Sequence, residues 1–543
     1  MNVKPTVETN PLLRQEGLPR YDEIAPEHVE PGVRAALARA GERLDELEGS
    51  LEPTREGLLD PLERLDLVFE YAWRPVVHLM TVKNSDALRR AHDAVLGEVV
   101  AFGLRLRQSR PVYDGLKALR EGARWEALSP AHRRWVEQML QAAEHAGVGL
   151  EGAAKARFVE IEQRLSKLST DFSNRVLDAR KAFELLITDP ADAQGWPQSL
   201  RQGAAQSYNQ AKGANEATPD AGPWRVTLDY PSFVPFMQHA PNRAQRERVY
   251  KAFVTTASDG EFDNTEAIAE ILALRKEKAR LLGYGSHAEL SLAEKMAGTV
   301  EAVEAMFEQL VAASQPHARR ELEELEELAG QPLAHWDLAF WAERLRERRF
   351  DYTDDELRPY FPLPRVLDGL FSLCQRLFGI QIRESGEAVP AWHPDVRYYH
   401  VHDERGEPIA SFYLDPYSRP AEKRGGAWMD NCLKRRRVDG RLRRPVVHMV
   451  CNGTPPVGDR PSMMGFDEVI TLFHEFGHGL QGMLTTVDVA EVSGANGVEW
   501  DAIEIASQFM ENWCYHKPTL LGMTAHVDTG APLPDSLFDK LDA

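Results

Sequence analysis

Phe466-Asp-Glu-Val-Ile-Thr-Leu-Phe-His-Glu-Phe-Gly-His-Gly-Leu480 decides how the rest of the chain is read. Its apolar residues Val469, Ile470, Leu472, Phe473, Phe476 and Leu480 recur at helical spacing. Asp467 and Glu468 stand where acidic groups favour the positive end of a helix dipole. On such a helix His474 and His478 lie one turn apart on one face, so two neutral imidazoles converge on a single ion. Glu475 lies one residue further round, beside that ion rather than on it, where a carboxylate takes a proton from an attacking water. His-Glu-x-x-His is thus suited to zinc-assisted hydrolysis.

A buried amphipathic helix with two hydrogen-bonded histidines and an exposed glutamate would show the same five residues. Against that stand Gly477 and Gly479, each costing a helix interior about 1 kcal/mol relative to alanine. Their presence implies that something packs closely there. A zinc site for hydrolysis needs a third protein ligand and an open fourth position. The segment Glu491 to Trp513 is rich in carboxylates: Ser493-Gly-Ala-Asn-Gly497 reads as a loop and Trp500 onward as a second helix. Glu499 and Glu504 both follow His478 at a span that a returning helix covers, and spacing does not choose between them. Glu511 reads as an acid on a solvated helix face.

Thr471-Leu-Phe-His-Glu-Phe-Gly-His-Gly-Leu480, then Val492-Ser-Gly-Ala-Asn-Gly-Val-Glu-Trp-Asp-Ala-Ile-Glu504 and Ser507-Gln-Phe-Met-Glu-Asn-Trp513, resemble the thimet oligopeptidase family of zinc metallopeptidases, in its bacterial branch. The resemblance begins near the N-terminus at Asn10-Pro-Leu-Leu and covers nearly the whole chain. It implies His474, His478 and Glu504, the glutamate ahead of Ser507-Gln508, as ligands of one zinc ion per chain, with Glu475 as the catalytic carboxylate. Two positions depart from the family pattern, Ala506 in place of proline and Gln481 in place of histidine, and neither is an implied ligand. Asp501 is a candidate for the outer acceptor that orients a ligand histidine.

The composition is that of a large soluble enzyme. At 543 residues the chain is long enough for several domain-sized units, and no run of about 18 apolar residues offers a membrane span. The opening decapeptide lacks the apolar core of a secretory signal. Four scattered cysteines argue against a disulfide scaffold and fit a reducing cytoplasm. A balance of 64 basic and 84 acidic residues disfavours nucleic acid as a partner.

Along the chain, the Pro-punctuated stretch from Asn10 to Glu30 reads as winding over the surface, followed by strongly helical sequence from Pro31 to about Arg180. Loops are expected at Asp189–Pro197 and Gly213–Pro223, with short strands at Phe183–Ile187 and Trp224–Asp229. The domain boundary is placed there: an N-terminal helical domain over 1–220 and a catalytic domain over 221–543. Helices resume over Ile268–Leu282 and from Glu301 to about Leu328. Strands are expected at Val396–His402, Ile409–Leu414 and Pro445–Cys451, where an exposed sheet edge would serve to hold an extended peptide. His400, His402 and His448 read as hydrogen-bonded strand histidines rather than ligands. Asp415 to Trp428 resembles a family segment near the active site.

The expected fold is mainly α-helical, a two-lobed thimet-oligopeptidase-like zincin. It has a deep central channel and a small β-sheet beside the zinc helix. The expected function is a zinc-dependent endopeptidase acting on short unfolded peptides in cytoplasmic peptide turnover, with Glu475 as general base. A peptide-binding relative without catalysis and a metal hydrolase acting on another substrate are the alternatives. The family's Gly-rich loop, whose tyrosine and histidine hydrogen-bond the substrate carbonyl, has no counterpart up to Ala543, so the catalytic domain is expected to continue past it.

Overall fold

The computed structural model describes residues 9–213, 215–350, 353–438 and 440–542. Met1 to Glu8, Ala214 in the loop expected over Gly213–Pro223, and Ala543 lie outside them. The architecture is mainly helical. Helices Pro26–Ser50, Asp60–Ala72, Arg74–Val82, Asp86–Arg107, Arg110–Glu121, Pro130–His145 and Gly152–Ala182 form the first part. Later helices include Thr265–Leu281, Val300–Ala329 and Leu363–Phe378.

One small sheet organises the site. Its strands are β1 (Gln381–Glu384), β2 (Arg397–His402), β3 (Pro408–Tyr417), β4 (Trp428–Leu433) and β5 (Val446–Gly453), in spatial order β1-β2-β3-β5-β4. The β3–β5 pair is parallel and the other pairs are antiparallel. Both faces are buried, and strand alternation sorts side chains between two cores. Tyr399, Val401, Phe412, Leu414, Val447, Met449 and Cys451 enter one core with the helix Phe466–Met483. Tyr398, Tyr413, Val446 and Val450 enter another, built with Leu12, Tyr21, Val29 and Val76 of the N-terminal part. The sheet is therefore the plate on which the N-terminal helices and the histidine-bearing helix are mounted from opposite sides.

One expectation is corrected here. The first stretch does not wind over the surface: Asn10, Leu12 and Tyr21 are buried, and the Asn10 side chain receives the Leu12 N–H and donates to the His28 carbonyl. Its apolar side chains are needed to cover the sheet, which no polar helix face can do. Residues on both sides of position 220 pack together. Leu185–Ile187 pairs with Trp224–Val226 across it, and Trp196, Leu200, Ala217, Trp224 and Phe236 share one core.

The helix Phe466–Met483 starts at Gly465, whose N–H is received by the Glu468 carboxylate at 2.6 Å. The other Glu468 oxygen accepts the N–H and hydroxyl of Thr454 just after β5, tying helix start to strand end. Val469, Leu472, Phe473, Phe476 and Leu480 are buried. Burying such side chains contributes about 1.5–3 kcal/mol each, which outweighs the roughly 1 kcal/mol that each interior glycine costs.

The glycines mark the close contacts. A Cβ on Gly479 would lie 2.8 Å from Met449 Sδ, and one on Gly477 would lie 2.4 Å from the Ala506 carbonyl oxygen and 2.6 Å from Ser507 Cα. The latter neighbours are backbone and have no rotamer by which to retreat. Gly477→Ala is therefore expected to lower stability by about 2–3 kcal/mol, because overpacking exceeds the roughly 1 kcal/mol of helix propensity gained. Urea unfolding checks this, and a variant as stable as the parent would show the crossing to be looser than described.

Candidate metal centre

Two segments build the centre. The first is the helix Phe466–Met483, which places His474, Glu475 and His478 on one side. The second returns after the loop around Ser493 as a short 3₁₀ turn, Trp500–Ala502, and then the helix Ile505–Glu511. Trp500 onward is thus not one continuous helix: Glu504 stands at the N-cap of the second element, where its Oε2 receives the Ser507 hydroxyl at 2.8 Å and faces the first helix. The close approach at Gly477 brings that cap against the first helix.

His474 Nε2 lies 3.2 Å and His478 Nε2 3.1 Å from the same Glu504 Oε2. Four tetrahedral ligands at zinc distances of about 2.0–2.1 Å are spaced by about 3.3 Å, so two imidazoles and one carboxylate at this separation fit a zinc ion. Burial holds the His478 imidazole below its ordinary pKa, with Glu504 opposing, and the neutral ring is the form that ligates. Glu499, the competing candidate, instead pairs with Arg134 at 2.7 Å on the surface.

Glu475 is buried, and its Oε2 has no hydrogen-bond partner among the described residues. Burial pushes its carboxyl up to about 7; His474 opposes this and Glu504 adds to it. An unspent carboxylate oxygen beside the converging imidazoles is placed to hold a water or move a proton.

Asp501 does not orient a ligand histidine. Its two carboxylate oxygens receive the backbone N–H groups of Met296 and Ala297 at 3.0 and 2.9 Å. The break at Ala502 turns it away from the helix pair. The carboxylate that meets a histidine of the cluster from outside is Glu511, whose Oε1 lies 2.5 Å from His474 Nδ1. This pairing leaves Nε2 facing Glu504, the usual carboxylate–histidine arrangement around a metal. Glu504 and Glu511 are seven residues apart, a spacing that returns to the same face after two turns, and that was the signal for Glu511 in the sequence.

His448 is buried on β5 and hydrogen-bonded to the Tyr21 hydroxyl at 3.0 Å, and His400 Nδ1 lies 3.2 Å from Ser411 Oγ. Neither joins the ligand cluster. The segment after β3 is pinned from inside. The buried Asp415 carboxylate receives Trp392 Nε1, both Arg419 Nη groups and Lys423 Nζ at 2.7–2.9 Å, and Lys423 also donates to the Tyr417 and Cys451 carbonyls. This network sets the wall of the cleft beside the histidine helix.

A cavity opens along the same helix, in the turn before His474. Of about 290 Å³, it runs past Thr471 and Leu472 to Tyr417, Gly426 and Asn452. A second, of about 890 Å³, shares Tyr230, Tyr417, Gly426 and Asn452 with the first and reaches the end of the N-terminal helix Gly152–Ala182. Among the described residues no helix is long and apolar enough to cross a membrane.

A His-Glu-x-x-His helix whose imidazoles converge with a later glutamate is the donor set of a metallopeptidase. Residues 236–543 match Peptidase family M3 and residues 33–155 match the neurolysin/thimet oligopeptidase N-terminal domain, and the chain belongs to peptidase family M3. It is 49% identical to an organellar oligopeptidase A of Arabidopsis thaliana over 99% of this chain and 69% of that protein. It is 40% identical to oligopeptidase A of Escherichia coli over 98% of this chain and 79% of that one. A solved structure of PZ peptidase A with an inhibitor superposes with a TM-score of 0.52 at 15% identity, covering 92% of this chain and 71% of that one, and shares the fold.

Proposed function

We propose that this metallopeptidase is a zinc-dependent oligopeptidase that cuts internal bonds of short unfolded peptides, with His474, His478 and Glu504 as ligands and Glu475 as general base. The observation that carries the reading is the meeting of both Nε2 atoms with one Glu504 oxygen at 3.1–3.2 Å. Zinc held there supplies positive charge that polarises the scissile carbonyl and acidifies the attacking water.

The chain's own residues supply the rest. Glu511 fixes the His474 ring through Nδ1. Glu475 receives the proton of the attacking water and returns it to the leaving amine nitrogen. Strand β4 is an edge of the sheet, and its outward N–H and C=O groups suit an extended peptide held by main-chain hydrogen bonds, a mode indifferent to most side chains. A narrow cleft admits such a strand and excludes a folded domain. The setting expected for this activity is cytoplasmic peptide turnover, in keeping with four unpaired buried cysteines.

Treatment with a chelator is expected to lower hydrolysis of an internally quenched peptide by at least about 10²-fold, since charge stabilisation by the ion is worth several kcal/mol. Added zinc restores it, and a folded protein containing the same bond stays intact. Turnover that survives complete removal of metal would overturn the zinc reading.

A further inference from the structure

The larger cavity carries charge that the zinc chemistry does not use. Arg180 and Lys181, at the end of the helix Gly152–Ala182, both line it. Neither side chain has a hydrogen bond or ion pair among the described residues, and Arg180 Nε is a buried donor without a partner. Arg180 lies over the Phe253 ring at 5.6 Å, and a Cβ on Gly425 would come within 2.7 Å of its Nη1, so a larger residue there would push the guanidinium aside.

The other cations on this wall are spent. Arg225 pairs with Glu184 at 3.0 Å, Arg419 with Asp415 and Glu422, and Lys423 with Asp415. The acids are held too. Glu422 is taken by Arg419, Asp395 faces His393 at 3.4 Å, and Asp229 accepts from the Thr227 hydroxyl. Burial and the nearby Arg89 hold the Lys181 ammonium below its usual range, with Asp178, Asp86 and Glu422 opposing from beyond hydrogen-bond reach. Two adjacent half-buried cations that no carboxylate hydrogen-bonds are suited to receive an anionic group.

We propose that Arg180 and Lys181 form an anchoring subsite for a carboxylate of the bound peptide, at the end of the cleft remote from the metal ligands. This rests on the peptidase reading. The two cavities share four lining residues, so a peptide lying across the histidine helix at Thr471 runs on to these cations without leaving the cleft. The carboxylate is supplied either by the C-terminus or by an acidic side chain. An anchor at the peptide's end gives the cleft a ruler for substrate length. Arginine offers a planar pair of donors to such a group, and hydrogen bonds to charged partners are among the stronger ones.

The test reads binding on the zinc-loaded Glu475→Gln protein by fluorescence anisotropy with three labelled peptides. One lacks Asp and Glu and ends in a free carboxylate, the second is its carboxamide, and the third is the carboxamide with one internal glutamate. The free acid is expected to bind roughly 10–100-fold more tightly than the amide. Arg180→Gln with Lys181→Met is expected to erase that gap and leave the amide's affinity unchanged. Lys181→Met alone, which disturbs no packed ring, is expected to reduce the gap if the double variant fails to fold. Tighter binding of the third peptide than of the second assigns the subsite to an acidic side chain. Equal binding of all three peptides, a preference for carboxylate that survives the substitutions, or no binding at all would overturn the proposal. Failure of the unmutated protein to hydrolyse any of the peptides would instead sink the peptidase reading, because the affinities are measured without turnover.

Discussion

Glu475→Gln is expected to retain one zinc per chain and to lose peptide turnover by about 10²–10⁴-fold, the usual contribution of a positioned general base. The glutamine has the shape of the glutamate and fills the same buried space, so the helix should not register the change. What disappears is proton affinity. The Glu475 Oε2 has no partner within the described protein, whereas both imidazoles and Glu504 face one another. The carboxylate thus stands beside the cluster without being needed to close it. Metal content per chain and hydrolysis of a quenched peptide, read on the same preparation, separate the two roles. Zinc lost together with activity would make Glu475 a ligand and break this division of labour.

Glu504→Ala is expected to weaken zinc retention beyond the roughly 10–100-fold typical of removing an outer partner, while Glu499→Ala leaves it unchanged. Glu511→Gln should fall between them, within that range, because it disturbs the His474 ring without touching the ion. The ranking follows from geometry. Glu504 Oε2 lies within 3.2 Å of both Nε2 atoms, Glu511 holds the far nitrogen of one ring, and Glu499 is engaged by Arg134. Two neutral histidines alone make an incomplete site, since the carboxylate also offsets part of the ion's charge. Competition against a chromophoric chelator measures all three affinities. A Glu499→Ala protein that loses zinc while Glu504→Ala keeps it would move the site to the start of the returning segment.

Within the described residues the same sequence also shows how a buried cluster can be read wrongly as a ligand set. His239, Glu343 and Glu347 bring donor atoms together, but Arg346 takes Glu343 and Arg344 bridges His239 and Glu347. Their charges are already satisfied, so the cluster is structural.

What the sequence determined by itself was whatever depends on neighbours along one helix. His474, Glu475 and His478 fall on one side by the 3.6-residue period, and the apolar stripe that buries the helix is written in the same stretch. The strands β2, β3 and β5 were legible as short runs of apolar, aromatic and β-branched residues bounded by turn residues, although the two edge strands, β1 and β4, were not: they pair on one side only and carry weaker patterns. Long helices such as Val300–Ala329 were legible from periodicity. The tertiary structure decided everything that needs two segments to meet. Glu504 was separated from Glu499 by a contact between Gly477 and the backbone of Ala506 and Ser507, which no spacing encodes. Asp501 came to receive the backbone of Met296 and Ala297, and Glu511 to meet His474, because the chain breaks at Ala502 instead of continuing as one helix. Leu12 and Tyr21 proved buried because the second face of the sheet needs an apolar cover. Periodicity reports which side of an element is apolar; which other element arrives there is set by packing across the whole chain, and the metal centre lies at such a meeting.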